Sequence, residues 1–239
     1  MLRFVSTRAA AEMGRARLWT DRPVFLLALT AVAGWVDALS FLALGKVFTS
    51  FMSGNWLFLG IGAGTGDGGL AVRAGTAMAA FVAGGAVGAR LVGARLSPAG
   101  SQALRGLRLE AVVLVCFAAV WIVVGDPEPQ HAVRLVLLAL AAAAMGIQAA
   151  LSLALQVPNV ATVALTASLA QLARLVGLSG TERRPHDPGE PSAALLLALC
   201  LCYLVSALVV AVLPRTALFA AVPLLLLSLA AIAARPAAA

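Results

Sequence analysis

Eight apolar stretches, at about 23–44, 47–64, 72–92, 109–125, 134–156, 159–177, 193–213 and 216–234, occupy most of the chain. Their length, roughly 17–23 residues, is that of a helix crossing a bilayer, whereas membrane β-strands would alternate over about ten residues. The chain is 62% hydrophobic and 11% charged, far from a soluble domain, in which about 25% of residues are charged. The sequence therefore predicts an all-α polytopic membrane protein whose first partner is the lipid bilayer. The net charge of +7 does not point to nucleic acid, because the arginines form no stripe interleaved with aromatics. They stand instead at the ends of apolar runs: Arg3, Arg8, Arg15, Arg17 and Arg22, then Arg90, Arg95, Arg105 and Arg108, then Arg174, Arg183 and Arg184. Cytoplasmic loops carry that bias.

Two segments differ from the rest. Segment 47–64 contains Thr49, Ser50, Ser53, Gly54 and Asn55, and segment 159–177 contains Asn159, Thr162, Thr166, Ser168 and Gln171. Each follows its predecessor with almost no loop, across Gly45-Lys46 in one case and Val157-Pro158 in the other. The two joints align. With Gly34 set on Gly146, Leu39 meets Leu151 and Ser40 meets Ser152. One extra residue at the break brings Thr49 onto Thr162, Ser53 onto Thr166 and Gly64 onto Gly177. This suggests a two-fold internal repeat, with halves 23–125 and 134–234, a connector at 126–133, an arm at 1–22 and a tail at 235–239.

Charge placement separates two architectures. Eight full spans would put the arginine-rich loop 93–108 opposite the arginine-rich N-terminus, against the positive-inside rule. Six spans with two short re-entrant or broken segments leave both termini, that loop and the 178–192 loop cytoplasmic. Asp67, Arg73, Asp126, Glu128, His131, Arg134 and Arg215 are then outside. Three spans per half invert the second half relative to the first, a plan common among secondary transporters. Eight plain helices remain the alternative. Ala31-Val32-Ala33 resembles a signal-peptide cleavage site, but the apolar run continues past it, so the first span reads as uncleaved.

Asp37 is the costliest residue in this pattern, since a carboxylate at mid-bilayer costs roughly 2.5–3.5 kcal/mol on insertion scales. Gly34, Asp37, Ser40 and Phe41 share one helical face. Two roles fit Asp37: a proton- or cation-handling carboxylate, or a cap for the following break, accepting from Thr49, Ser50 or free backbone N–H groups. Ser53-Gly54-Asn55 suits a substrate or ion lining, and equally an ordinary packed break. Gln148 lies near the corresponding place in the fifth segment and needs a partner, for which a bond across the repeat is available. The substrate or ion path so proposed comprises Asp37, Ser40, Thr49, Ser50, Ser53, Gly54, Asn55, Gln148, Thr162, Thr166 and Ser168.

The remaining residues read as structure. Gly84 and Gly88 form a small-xxx-small packing face, and Glu110, two residues after Arg108, reads as interfacial. Cys116, Cys200 and Cys202 read as small apolar residues without zinc spacing. His131 and His186 lie in loops, and no HExxH, GxSxG or paired-acid motif occurs. No catalytic residue, metal or cofactor is expected, and the sequence does not read as an enzyme.

The stretch from Gly34 to Asn55, with its Gly-x-x-Asp-Ala start, Val-Phe-Thr core and Gly-Asn end, resembles the YoaK-like family of bacterial integral membrane proteins. Met145-Gly-Ile-Gln148, leading to Val157-Pro158 and Thr162–Thr166, resembles that family's second motif. Ser53, Ala149 and Ala167 depart from the family pattern, where threonine, asparagine and glycine are usual. The resemblance implies a bacterial inner-membrane protein and names no substrate. The sequence thus suggests a transporter- or channel-like protein for a small solute or ion. The alternative is a non-transporting assembly or regulatory protein whose polar motifs lock helices together. Homo-oligomerisation is left open.

Overall fold

The computed structural model describes residues 23–93, 101–125, 131–155, 165–178, 191–213 and 221–233. All regular structure among them is helical: α1 (Pro23–Ala43), α2 (Met52–Thr65), α3 (Gly68–Val92), α4 (Ser101–Val124), α5 (His131–Leu155), α6 (Thr166–Leu178), α7 (Ala193–Val212) and α8 (Val222–Ala233). Five of these, α1, α3, α4, α5 and α7, are long and apolar enough to cross a membrane. At 1.5 Å per residue, the 14-residue α2 and 13-residue α6 reach only about 20 Å, short of a hydrocarbon core about 30 Å thick.

Burial sorts the long helices into two kinds. In α1 and α5, 78% and 67% of the apolar stretch is buried, against 17% in each of α3 and α7. So α1 and α5 form the interior, and α3 and α7 turn apolar side chains such as Val82, Leu204 and Leu208 outward, as lipid-facing helices do. The main packed pairs are α3 on α5, α1 on α7, α4 on α5, α1 on α8 and α2 on α3. Gly84, of the small-residue face, is what lets α3 approach α5: a Cβ there would overlap the Ala143 carbonyl. Hydrocarbon offers no hydrophobic drive between helices, so such backbone-close packing supplies the attraction.

Three expected segment limits shift. The third helix begins at Gly68 rather than about 72, because Asp67 caps it by accepting from the Leu70 N–H at 2.9 Å. The fourth begins at Ser101 rather than about 109. Its first turns are amphipathic: Ala103, Gly106 and Leu107 are buried while Arg105 and Arg108 are exposed, long cations that reach water from an apolar stem. Glu110, two residues on, turns to the other face. It lies fully buried in α4. The second apolar segment is not helical from about 47, since residues 44–51 form a break before α2.

Candidate functional site

The break begins where α1 unwinds. Gly45 and Lys46 adopt left-handed φ of +110° and +65°, and the Lys46 N–H reaches back to the Phe41 carbonyl at 3.2 Å, a wrap-around bond typical of helix C-termini. A side chain at Gly45 would meet both the positive φ and the Arg73 stem lying against it. Arg73, from α3, donates its Nε to the Gly45 carbonyl at 2.9 Å. The Lys46 ammonium sits 5.3 Å from the Phe41 ring centroid.

Backbone that leaves the helical ladder at membrane depth needs partners from protein or water. Asp37 supplies most of them. Its Oδ1 accepts from the Thr49 N–H at 2.7 Å, the Thr49 hydroxyl at 2.8 Å and the Ser50 N–H at 2.7 Å. Its Oδ2 accepts from the Ser50 hydroxyl and from the Tyr203 hydroxyl at 2.7 Å. Five donors fill the roughly four lone-pair sites of a carboxylate, and the side chain is 2% exposed. The arrangement is a latch: one α1 side chain holds the break and α7 together.

Asn55 and Ser40 satisfy the rest of this strand-like piece. From the first turn of α2, the Asn55 amide accepts from the Phe48 N–H at 3.0 Å and donates to the Phe48 carbonyl at 2.6 Å, imitating a neighbouring β-strand. The Ser40 hydroxyl donates to the Val47 carbonyl at 2.9 Å. Phe48 stacks on Phe41 and Phe58 with centroids 5.2 and 5.8 Å apart, and meets Phe51 edge-on at 5.4 Å. Gly54 lies under this cluster, where a Cβ would come within 2.7 Å of the Phe51 ring. Ser53 is exposed.

Helices α6 and α7 also reach this place. Thr166, exposed at the start of α6, lines an open cavity of about 440 Å³ together with Phe48, Phe51, Leu165, Leu169, Cys200 and Tyr203. Tyr203 therefore faces Asp37 and the cavity at once. Ser168, beside the lining residue Leu169, is buried, while Thr162 lies outside the described residues. Gln148, fully buried in α5, donates its Nε2 to the Leu29 carbonyl of α1 at 2.8 Å, so this amide does bond across the two halves of the chain. Among the described residues no group of three or more His, Cys, Asp and Glu could hold a metal ion.

A family model, described as a protein of unknown function (DUF1275), matches residues 25–234. The chain belongs to DUF1275. No curated protein and no solved structure matches it.

Sequence reasoning missed two residues of this DUF1275 site. Tyr203 is the chain's single tyrosine and sits in the most apolar of its spans. A phenol hydroxyl in hydrocarbon demands a partner, so its isolation was the available signal. Arg73 gave none, because only the fold brings it 28 residues back to Gly45.

Proposed function

We propose that this protein is a transporter- or channel-like protein of a bacterial inner membrane, passing a small solute at the junction of two inverted halves. The observation that carries the reading is the cavity between the Phe48–Phe51 break and the start of α6. Its lining is apolar apart from Thr166, Cys200 and Tyr203, which suits a small uncharged solute better than a bare ion. The likeness of Gly34–Asn55 to the YoaK-like proteins supports the bacterial membrane.

Packing supports the repeat. Exchanging the halves sends α1 to α5, α2 to α6, α3 to α7 and α4 to α8. The pair α1–α7 then becomes α5–α3, α1–α8 becomes α5–α4, and α2–α3 becomes α6–α7, and all six are packed pairs. Of the four pairs that map onto themselves, α1–α5 and α4–α8 touch, while α2–α6 and α3–α7 make no contact among the described residues. The exception is α3–α4, whose image α7–α8 makes no contact among the described residues.

The second reading, a non-transporting membrane protein with helix-locking motifs, draws on the complete set of internal donors around Asp37. Thiol accessibility separates the two. In a background with Cys116, Cys200 and Cys202 replaced by alanine, Thr166→Cys is expected to react with a charged methanethiosulfonate, which modifies only water-exposed thiols. The lipid-facing control Leu204→Cys is expected to stay unmodified. Equal inertness of both would remove the transport reading and leave helix locking. Inverted halves further require the start of α4 to be cytoplasmic. Ser101→Cys should then be protected from an impermeant maleimide in intact cells, and labelling from outside would overturn the inverted plan.

A further inference from the structure

Glu110 differs from every other acid among the described residues. Its side chain is fully buried in α4, and neither carboxyl oxygen has a hydrogen-bond partner. By helical rise it stands about 14 Å from Ser101 on a helix about 36 Å long, just past the amphipathic first turns. Ala103, Gly106, Leu107, Leu114, Phe117 and Trp121 share its buried face, at the three- and four-residue steps that bring side chains together. It is the one ionisable group on that face.

An ionised, unpartnered carboxylate in such a place costs several kcal/mol, and membrane proteins keep such groups where protons or ions travel. Among the described residues, every charge on the neighbouring elements is remote or turned away. On α4 itself Arg105 and Arg108 are exposed, as is Arg90 near the end of α3. The start of α4 lies against the ends of α3 and α5, since a Cβ at Gly106 would touch Val92 and Leu151. Asp67, Arg73, His131 and Arg134 are therefore toward the far ends of those helices, about 20 Å or more from the level of Glu110 along them. The described part of α8, Val222–Ala233, carries no ionisable residue. A metal ion would need several ligands, whereas a proton needs a single oxygen.

We propose that Glu110 is a proton-binding site inside the membrane, occupied in this conformation and exchanging its proton when α4 moves against the second half. The helix is placed for that, because it belongs to the first half and packs on α5 and α8 of the second. Use of this proton to couple transport rests on the transport reading above, while its occupancy does not. Asp37, ringed by five donors, is then the latch, and Glu110 is the proton carrier.

The test is infrared spectroscopy of the full-length protein in lipid nanodiscs at neutral pH. A protonated carboxylic acid without a hydrogen bond has a separate C=O stretch, to which exposed, ionised acids do not contribute. The expected result has three parts. The band is present in the wild type, it shifts in D₂O as the proton exchanges, and it is lost in Glu110→Gln but kept in Asp37→Asn. Glu110→Asp should restore a shifted acid band, which a folding defect in Glu110→Gln would not explain. Absence of the band, persistence in Glu110→Gln, or insensitivity to D₂O would each overturn the proposal. An exchanging band in a protein whose Thr166→Cys is inert would keep the proton site and remove only the transport reading.

Discussion

Two helix crossings in this molecule begin alike and end differently. At Gly34, α1 lies so close to α7 that a Cβ would come within 2.8 Å of the Tyr203 carbonyl oxygen. At Gly146, α5 lies so close to α3 that a Cβ would overlap the Phe81 carbonyl. A glycine therefore meets the backbone of an aromatic residue in both. Three residues on from each glycine stands Asp37 in one case and Ala149 in the other. The first crossing is thus fastened by a polar latch from Asp37 to Tyr203, and the second by backbone-close packing. Hydrogen bonds are directional and can be exchanged one for another, whereas interdigitated backbones hold a single arrangement. The α3–α5 crossing reads as a fixed hub, and the α1–α7 crossing as the joint that can open.

This contrast can be broken by substitution. The largest effect is expected from Asp37→Ala. It strips the acceptor from two backbone N–H groups and three hydroxyls, and leaving such buried groups unpaired should cost about 3–5 kcal/mol, read as thermal unfolding in detergent. Gly146→Ala should cost about 1–3 kcal/mol by overpacking and more than Gly34→Ala, whose Cβ has more room. Equal costs would erase the distinction between hub and joint. Tyr203→Phe removes one bond to a carboxylate, worth about 1.5 kcal/mol. Its sharper readout is faster hydrogen exchange at the Thr49 and Ser50 amides with the α3–α5 amides unchanged. Ser53→Ala should stay within about 0.5 kcal/mol of wild type, because the side chain is exposed in the structure.

Much of the site was legible because hydrocarbon leaves polar groups few choices. A buried acid followed twelve residues later by Thr49 and Ser50 reads as a capped break, and that pairing is local enough to be anticipated from the chain. Gln148 could be expected to cross the halves, although not to choose the Leu29 carbonyl. The part played by Ser53 could not be told from that of Asn55, since the two, one residue apart in sequence, meet different surroundings at the start of α2. Glu110 misled for a similar reason. Its neighbours Arg105 and Arg108 suggested an interface, and only the helical phase of α4 shows that the arginines turn outward while the glutamate turns in.

The chain's own order of residues determined that it is helical, that it suits a bilayer, and that the first span breaks after Ala43. Those properties follow from apolar length, glycine at a left-handed turn and the local needs of backbone donors. Tertiary structure alone decided that Tyr203 closes the latch, that Arg73 caps the break, that Thr166 faces Phe48 and Phe51 across a cavity, and that Glu110 has no hydrogen-bond partner among the described residues. Each of these depends on which helix face meets which. Lipid and protein are equally apolar neighbours, so hydrophobic pattern cannot choose between them, and only the packed arrangement does.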